Sequence, residues 1–232
     1  KRENDLFICT TKIGNSSQMT SLFGKHTIYL DTVGSTQDFA HNYLVQHPDT
    51  NGLLIHAYHQ HSGKGRKEHS WQSNAGQNFT GSFIFQHPSI LHKNNFWMIS
   101  KATALALKET IDYWTGMSSK IKWPNDILIN QKKIAGILIE NKWRVNKNTV
   151  GIIGIGLNIN QTFFELLSAT SIASIIQTKV HHKDVLNTLI NRLNYWISDL
   201  DDALLRLIQV EYDKSLYGFG KTISLECAGM LK

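Results

Sequence analysis

The sequence predicts an α+β fold in which a mixed, largely antiparallel sheet carries helices packed on one side. Runs rich in β-branched and aromatic residues recur between residues 25 and 159. The spacing of apolar residues over 94–114 and 181–216 is that of helices. Three strand-like runs also follow one another closely before the last helical region, as in an antiparallel meander.

The elements follow in chain order from these patterns. Six runs are predicted as strands, and they cover residues 25–31, 51–60, 78–86, 119–129, 133–143 and 149–159. A helix that Ser35 or Thr36 can cap follows the first strand. A polar, glycine-rich loop over 61–77 follows the second, and its 17 residues are enough to suggest a function. The final helical region is expected to break near Asp201.

The chain length allows one large domain with a small appendage, or two modest domains. Of the 232 residues, 41% are hydrophobic and six are tryptophan, so a sizeable core is expected, which argues against disorder. We expect an N-terminal extension over 1–25, the main domain over 26–216, and the beginning of a small β-barrel module over 217–232.

The charge pattern argues against DNA as a partner. The formal net charge is +6, but the lysines and arginines are scattered among acids and never form a run of five. Such an excess suits an anionic small molecule or an acidic protein partner better than DNA. The eleven histidines lack the spacing of paired metal ligands, so the sequence assigns no metal site.

A cytoplasmic location without membrane contact is expected. No stretch approaches the roughly 18 apolar residues of a spanning helix. The first residues lack the apolar core of a signal peptide. Cys9 and Cys227 lie at opposite ends of the chain, which favours a reducing compartment.

The stretch "GKGRKEHSW" brings glycines and cations together. Gly63 and Gly65 bracket Lys64, and Arg66 follows. Glycine allows left-handed backbone and close approach to a ligand, so successive N–H groups could form a nest for a phosphate or carboxylate. An ordinary flexible surface loop has the same composition, and these residues alone do not decide between the two.

A second stretch, "KWPND", places Asn125 and Asp126 directly after Pro124. The proline ring stiffens the backbone, so the strand is expected to run into a rigid corner that holds both polar side chains. A common Asn-Asp turn at the end of a strand is the alternative. The next strand opens with Lys133, whose ammonium could serve a transferred phosphoryl or acyl group; an ordinary solvated lysine at the end of a strand is the alternative. Within that strand, Gly136 suggests the close approach of something flat.

Taken together, these motifs strongly resemble those of the biotin protein ligases. The most specific are "KWPNDI" at 122–127, "KIAGILIE" at 133–140 and "GIGLNIN" at 154–160, in this order. "STQ" at 35–37 and the loop from Gln60 to Trp71 fit as well, and the resemblance spans about residues 26 to 215.

The resemblance implies a two-step, ATP-dependent and AMP-forming ligase. Biotin and ATP, with Mg²⁺, would first give biotinyl-5′-AMP and pyrophosphate. The biotinyl group would then pass to one lysine of a biotin carboxyl carrier domain. The resemblance also makes residues 26–216 the catalytic domain. The oligomeric state is left open, with a homodimer among the options.

The resemblance further implies roles for individual residues. Those expected to bind the substrate are Ser35, Thr36, Gln37, Gln60, Gly63, Lys64, Gly65, Arg66, Trp71, Lys133 and Gly136. Those expected to contact the nucleotide are Lys64, Arg66, Asn125, Lys133 and Asn158. The expected catalytic residues are Lys133, which would contact the reacting carboxylate and phosphate, Asp126, which would orient the incoming amine, and Arg66.

Some positions depart from the family pattern. Gln37 stands where an asparagine is usual, and Lys64 replaces an arginine, which keeps the charge and loses the bidentate fork. Glu68 and His69 replace a glycine followed by arginine or asparagine. These departures concern how tightly the loop closes. We expect residues 61–70 to be mobile without ligand and ordered by the adenylate.

Three rival functions remain at this stage. A lipoate or octanoate ligase shares the fold, but the arginine-rich segment usual in those enzymes is absent. A biotin-responsive repressor would carry an N-terminal helix-turn-helix, whereas residues 1–25 show no two-helix pattern. A biotin-binding module without catalysis is favoured only by the altered loop.

Overall fold

The structure is a computed structural model that describes residues 7–9, 21–67, 69–86, 96–142, 150–165 and 167–221. The strands are β1 Phe7–Cys9, β2 His26–Val33, β3 Leu53–Gln60, β4 Phe79–Gln86, β5 Lys120–Lys122, β6 Asp126–Ile129, β7 Lys132–Lys142 and β8 Val150–Leu157. The helices are α1 Thr36–Gln46, α2 Phe96–Thr115, α3 Ile172–Ile176, α4 His182–Ile197 and α5 Asp202–Ser215.

The described strands form one sheet in the order β1-β2-β3-β4-β8-β7-β6-β5. Only β2 and β3 pair in parallel, because α1 carries the chain from the end of one to the beginning of the other, and the other pairings are antiparallel. The predicted mixed, largely antiparallel sheet is therefore confirmed.

Helices cover both faces of the sheet, so the expectation of helices on one side is wrong. Leu54 on β3 packs into the larger core beneath α2 and α4, whereas its neighbour Ile55 packs under α1 on the opposite face. The reason lies in the continuous apolar run from Leu53 to Ile55. Such a run buries both faces of a strand and requires cover on each.

The predicted strand over 119–129 is also wrong, because this run forms two strands. β5 and β6 make a hairpin in which Ile121 lies opposite Ile127, and Lys122 opposite Asp126. Both strands bury their isoleucines, which is why the apolar pattern reads as continuous. The predicted rigid corner is the turn of this hairpin, and its Trp123–Pro124 peptide bond is cis.

Two elements were missed in the sequence. β1 lies within the predicted N-terminal extension and pairs with β2, so part of that extension belongs to the sheet. α3 is a short helix capped by Ser171, whose Oγ accepts a hydrogen bond from the backbone N of Ser174 at 3.1 Å.

The end of the chain follows the prediction as far as it is described. Asp201 separates α4 from α5 and caps the latter, since its carboxylate accepts from the backbone N of Leu204 at 2.7 Å. The backbone N of Tyr217 donates to the carbonyl of Ile121 at 2.8 Å, which ties the chain after α5 to β5. The predicted β-barrel module falls mostly on residues 222–232, which lie outside the described residues. None of the helices in the described segments has the length and apolar character needed to cross a membrane.

Candidate active site

A pocket opens on the α1 face of the sheet. Its walls come from the beginning of α1, the loop after β3, the β5–β6 hairpin and the strands β4, β7 and β8. Twelve of the predicted site residues line it: Ser35, Thr36, Gln37, Gln60, Lys64, Gly65, Arg66, Trp71, Asn125, Asp126, Lys133 and Gly136. Gly63 and Asn158 do not.

Glycines form the floor of the pocket. Gly136 on β7 lies directly opposite Gly156 on the neighbouring strand β8. On its other side, Gly136 lies directly opposite Asp126 on β6. A Cβ on Gly156 would lie 2.2 Å from Cε2 of Trp71, and one on Gly136 would lie 3.0 Å from its Cζ3. The flat group expected against Gly136 is therefore the indole of Trp71. Trp71 Nε1 is buried and has no hydrogen-bond partner among the described residues.

Lys133 and Asp126 bring opposite charges together beside this floor. The Nζ of Lys133 lies 2.7 Å from Oδ1 of Asp126, at ion-pair distance although without the alignment of a hydrogen bond. The same ammonium is 5.5 Å from the centroid of the Trp71 ring, within cation–π reach. The side chains of Lys133 and Asp126 are 37% and 23% exposed, so both remain accessible from the pocket.

The backbone of Lys133 is fixed on both sides. Its N–H donates to the carbonyl of Ser168 at 2.7 Å, and its carbonyl accepts from the N–H of Thr170 at 2.9 Å. Asn158 supports this arrangement, since its Nδ2 donates to the carbonyl of Thr170 at 2.9 Å. The Asn158 side chain is thus buried behind Lys133, and the nucleotide contact expected of it stays a prediction.

The loop from Gly63 to Trp71 folds back on itself, although no regular structure was expected there. The N–H of Gly65 donates to the carbonyl of His69 at 2.7 Å, and that of Trp71 to the carbonyl of Gly63 at 2.8 Å. A Cβ on Gly63 would lie 2.6 Å from the Trp71 carbonyl oxygen, so glycine is needed here for close approach. The left-handed φ in this loop, 56°, belongs to Lys67 instead.

Lys64 forms an ion pair that was not predicted from the sequence. Its Nζ donates to Oδ1 of Asp38, in the first turn of α1, at 2.5 Å. This hydrogen bond raises the pKa of Lys64 above its usual value. Arg66 lines the pocket next to it. The expected ordering of this loop by ligand stays a prediction.

The polar end of the pocket is a buried hydrogen-bond network around the start of α1. Ser35 caps the helix, and the N–H of Thr36 donates to Oε1 of Gln60 at 2.7 Å. The Oγ of Ser82 on β4 lies 2.9 Å from both Oγ1 of Thr36 and Oε1 of Gln37. Sequence reasoning missed Ser82. The available signal was a hydroxyl within the otherwise apolar run "SFIF" of a predicted strand.

Asn125 lines the pocket from the turn of the β5–β6 hairpin. Its Nδ2 donates to the carbonyl of Ile137 at 3.2 Å, and its own carbonyl accepts from the N–H of Ile137 at 2.9 Å. Within the described segments no three His, Cys, Asp or Glu side chains are grouped so that they could hold a metal ion.

A second cavity lies on the opposite face of the sheet, beside α4. It is lined by Tyr29, His56, Phe79, His182, Lys183 and Leu186. Burial, followed by the neighbouring His182, lowers the pKa of His56 to about 4. Burial likewise lowers the pKa of His182, whose Nε2 lies 3.1 Å from the carbonyl of Gln77. Both imidazoles are therefore neutral near pH 7.

Comparisons with known sequences agree with this architecture. A sequence model of the biotin/lipoate A/B protein ligase family matches residues 29–158. The chain is 38% identical over 142 residues to the bifunctional ligase/repressor BirA of Bacillus spizizenii, covering 61% of this chain and 43% of the relative. It is 34% identical over 107 residues to the biotin–[acetyl-CoA-carboxylase] ligase of Paracoccus denitrificans, covering 44% and 42%. The chain thus spans less than half the length of these relatives.

Solved structures share the fold. The biotin protein ligase of Aquifex aeolicus in complex with biotin and ATP superposes with a TM-score of 0.67 at 23% identity, covering 83% of this chain and 78% of the other. The biotin protein ligase of Leishmania major in complex with biotinyl-5-AMP gives 0.66 at 22% identity, covering 88% and 86%. At these identities the similarity concerns the fold.

Proposed function

The chain belongs to the biotin/lipoate A/B protein ligase family, and from this premise we propose that it is a biotin protein ligase. In the proposed reaction, biotin and Mg-ATP give biotinyl-5′-AMP and pyrophosphate. The biotinyl group then passes to a lysine ε-amine of a biotin carboxyl carrier domain, and AMP is released. The observation that carries the proposal is the pairing of Lys133 with Asp126 in a pocket whose polar end is a separate, uncharged hydrogen-bond network.

The chemistry of biotin fits this pocket. Biotin has an apolar bicyclic body, a ureido head and a carboxylate on a flexible tail. The network of Thr36, Gln60 and Ser82 offers neutral donors and acceptors to a ureido group. The glycine floor lets the indole of Trp71 lie flat on the sheet, and this ring offers an apolar surface to the bicyclic body. Lys64, Arg66 and Lys133 supply positive charge for the carboxylate tail and for phosphate.

Adenylation is the step for which the cations are needed. A carboxylate oxygen of biotin attacks the α-phosphorus of ATP, and the bond to pyrophosphate breaks. Two anions must approach each other before this happens, so fixed positive charges offset the repulsion and stabilise the charge that builds on the phosphate oxygens. Lys133, whose backbone is held on both sides, is the best placed of the three. Magnesium enters with ATP as part of the substrate.

Transfer to the acceptor lysine requires the carboxylate of Asp126. The incoming amine attacks the carbonyl carbon of the mixed anhydride and must lose a proton as the bond to AMP breaks. Asp126 can hold the amine by accepting a hydrogen bond and can take that proton. In the structure, Nζ of Lys133 lies 2.7 Å from this carboxylate. The phosphate oxygens of the adenylate, brought next to Lys133 by the attached biotinyl group, can draw the ammonium away and leave Asp126 to the amine.

The acceptor and the location belong to the same proposal. A net charge of +6 suits an acidic carrier domain, and the Paracoccus relative is named for acetyl-CoA carboxylase. ATP and carboxylases are available in the cytoplasm, so a cytoplasmic location fits the reaction. We do not propose a DNA-binding role for the described residues.

Biotin-dependent exchange of pyrophosphate into ATP tests the proposal. The chain should catalyse exchange with biotin and Mg²⁺, and it should not with lipoate or octanoate. The family includes lipoate ligases as well, so exchange driven by lipoate or octanoate and not by biotin would assign the chain to that branch. Binding of biotin without any exchange would instead identify a binding module.

A further inference from the structure

Resting on the proposed function, we infer that Ser82 is a positioning residue that determines specificity for the ureido head of the substrate. Its hydroxyl lies in a buried chain of hydrogen bonds that joins Gln37, Ser82 and Thr36, here called the relay, and it fixes the direction of this relay by deciding which group donates at each step. Because of that direction, Thr36 can only accept a hydrogen bond from the ligand. The site would then require an N–H group at this point and reject an oxygen in its place.

The relay begins at Gln37, whose orientation is set by the backbone. Its Nε2 donates to the carbonyl of Ile152 at 3.3 Å, and a carbonyl oxygen can only accept. The other amide atom, Oε1, therefore faces Ser82. Since this oxygen also only accepts, the hydroxyl of Ser82 must donate its single hydrogen to it, across 2.9 Å.

The next link follows from the hydrogen that Ser82 has already used. Its Oγ also lies 2.9 Å from Oγ1 of Thr36, and one of the two hydroxyls must donate to the other. Ser82 has no hydrogen left, so Thr36 donates and Ser82 accepts. Thr36 then has only lone pairs to offer a ligand in the pocket that it lines.

The neighbouring Gln60 completes a pattern that a urea would match. The N–H of Thr36 requires an acceptor, which places Oε1 of Gln60 against it at 2.7 Å and leaves the Nε2 donors of Gln60 to the pocket. The pocket thus presents an acceptor at Thr36 and donors at Gln60. A urea carries the complementary groups, namely N–H donors on both sides of a C=O acceptor.

Because the relay is buried, the direction of its hydrogen bonds has a large effect on the affinity for a ligand. Ser82 is 0% exposed, and Thr36 and Gln37 are each 3% exposed. Water therefore does not replace a missing partner, and a buried group left without one is penalised fully. An analogue that turns a lone pair toward Thr36 would meet another lone pair.

The test compares biotin with its two carbamate analogues, in which one or the other ureido N–H is replaced by oxygen. For the unaltered protein, calorimetry should show that the analogue changed at the nitrogen facing Thr36 binds about 100-fold more weakly than biotin. In Ser82→Ala the hydroxyl of Thr36 is free to turn and donate to the new oxygen. The preference for biotin over that analogue should then fall to within about fivefold.

A loss of packing alone would weaken both ligands equally and leave their ratio unchanged, and this result would overturn the inference. Thr110→Val is the matched control, because it removes a 0% exposed hydroxyl from α2 that donates to the carbonyl of Ala106 at 2.7 Å, away from the pocket. It should leave the ratio as in the unaltered protein. The KM for ATP should not change in either variant.

A second variant keeps the inference testable if Ser82→Ala does not fold. Thr36→Val removes the acceptor at the end of the relay and should reduce the preference for biotin to the same few-fold range. An unchanged 100-fold preference in Thr36→Val would also overturn the relay. Failure of the proposed function is distinguishable, because the unaltered protein would then show neither biotin binding nor biotin-dependent pyrophosphate exchange.

Discussion

Replacing Lys133 by alanine is expected to slow adenylate formation strongly while hardly affecting the fold. The substitution removes an ammonium that lies 2.7 Å from Asp126 in the pocket and whose backbone is held by Ser168 and Thr170. An anion-stabilising donor fixed in this way typically contributes ~3 kcal/mol to the transition state, which corresponds to a rate reduced by a factor on the order of 100 to 1,000.

The expected effect on stability is much smaller. The paired side chains of Lys133 and Asp126 are 37% and 23% exposed, and partly solvated ion pairs contribute only about 0–1 kcal/mol. The backbone hydrogen bonds of residue 133 do not depend on its side chain. We therefore expect a fall in Tm of a few degrees at most, about what 1 kcal/mol produces in a domain of this size.

Pre-steady-state adenylate formation, measured with thermal melting and biotin affinity, separates these effects. Lys132→Ala is the matched control, since Lys132 carries the same charge, precedes Lys133 on β7, is exposed and does not line the pocket. It should form adenylate at the unaltered rate. If Lys133→Ala forms adenylate within a few-fold of the unaltered protein, the proposed role is wrong and Lys133 is a solvated lysine near the end of a strand.

Three further changes follow from the geometry. Asp38→Asn removes the partner of Lys64, so trypsin should cut the loop over 61–71 several-fold faster when no ligand is added. Biotinyl-AMP should suppress this cleavage. Equal cleavage with and without the adenylate would show that the loop does not respond to ligand. Gly156→Ala places a methyl group 2.2 Å from the Trp71 ring, so the indole must move away from the floor of the pocket. Tryptophan fluorescence should then shift, and the affinity for biotin should drop about tenfold or more. Unchanged fluorescence and affinity would contradict this packing. The pKa of His56 is about 4 in the folded protein and near 6.5 in the unfolded chain, so the contribution of the neutral imidazole to the free energy of unfolding is fully present above pH 6.5. As the pH drops toward 4, the free energy of unfolding should fall by up to about 3 kcal/mol. Urea titrations should find this pH dependence reduced in His56→Gln.

Periodicity was sufficient to predict most of the fold. Residues 26–33, 53–60 and 79–86 are strands close to the predicted bounds, and the capped break at Asp201 lies where it was expected. The hairpin within 119–129 was missed because its two strands bury isoleucines with a spacing that one longer strand would also show. The position of α1 was missed because the sequence pattern of a helix does not state which face of the sheet it will cover.

The candidate site was predictable where a residue belongs to a compact motif. Lys133, Asp126 and Gly136 lie within a stretch of 11 residues, 126–136, and the pairing of β6 with β7 brings them together in space. Asp38 and Ser82 were not predicted, because each meets its partner only through the fold. Asp38 is 26 residues from Lys64 in the sequence, and Ser82 is 45 residues from Gln37. The hydroxyl within the apolar run "SFIF" marks Ser82 as unusual, but no local sequence pattern identifies the partner in either contact.

The ion pairs within the pocket also bear on which ligand it should hold most tightly. Lys64 is paired with Asp38 and Lys133 with Asp126, so an anion that binds either lysine must displace a carboxylate that is already in place. The carboxylate of biotin carries no more charge than the one it would displace, and its net gain from either lysine is small. In biotinyl-5′-AMP the ureido head is held by the relay, and the attached phosphate presents several oxygens to both lysines. Because the phosphate is already held close to the lysines, replacing the two carboxylates by phosphate oxygens becomes favourable. The site should therefore retain biotinyl-5′-AMP far more tightly than biotin, which, under the proposed function, would keep the reactive anhydride from water until the acceptor lysine arrives.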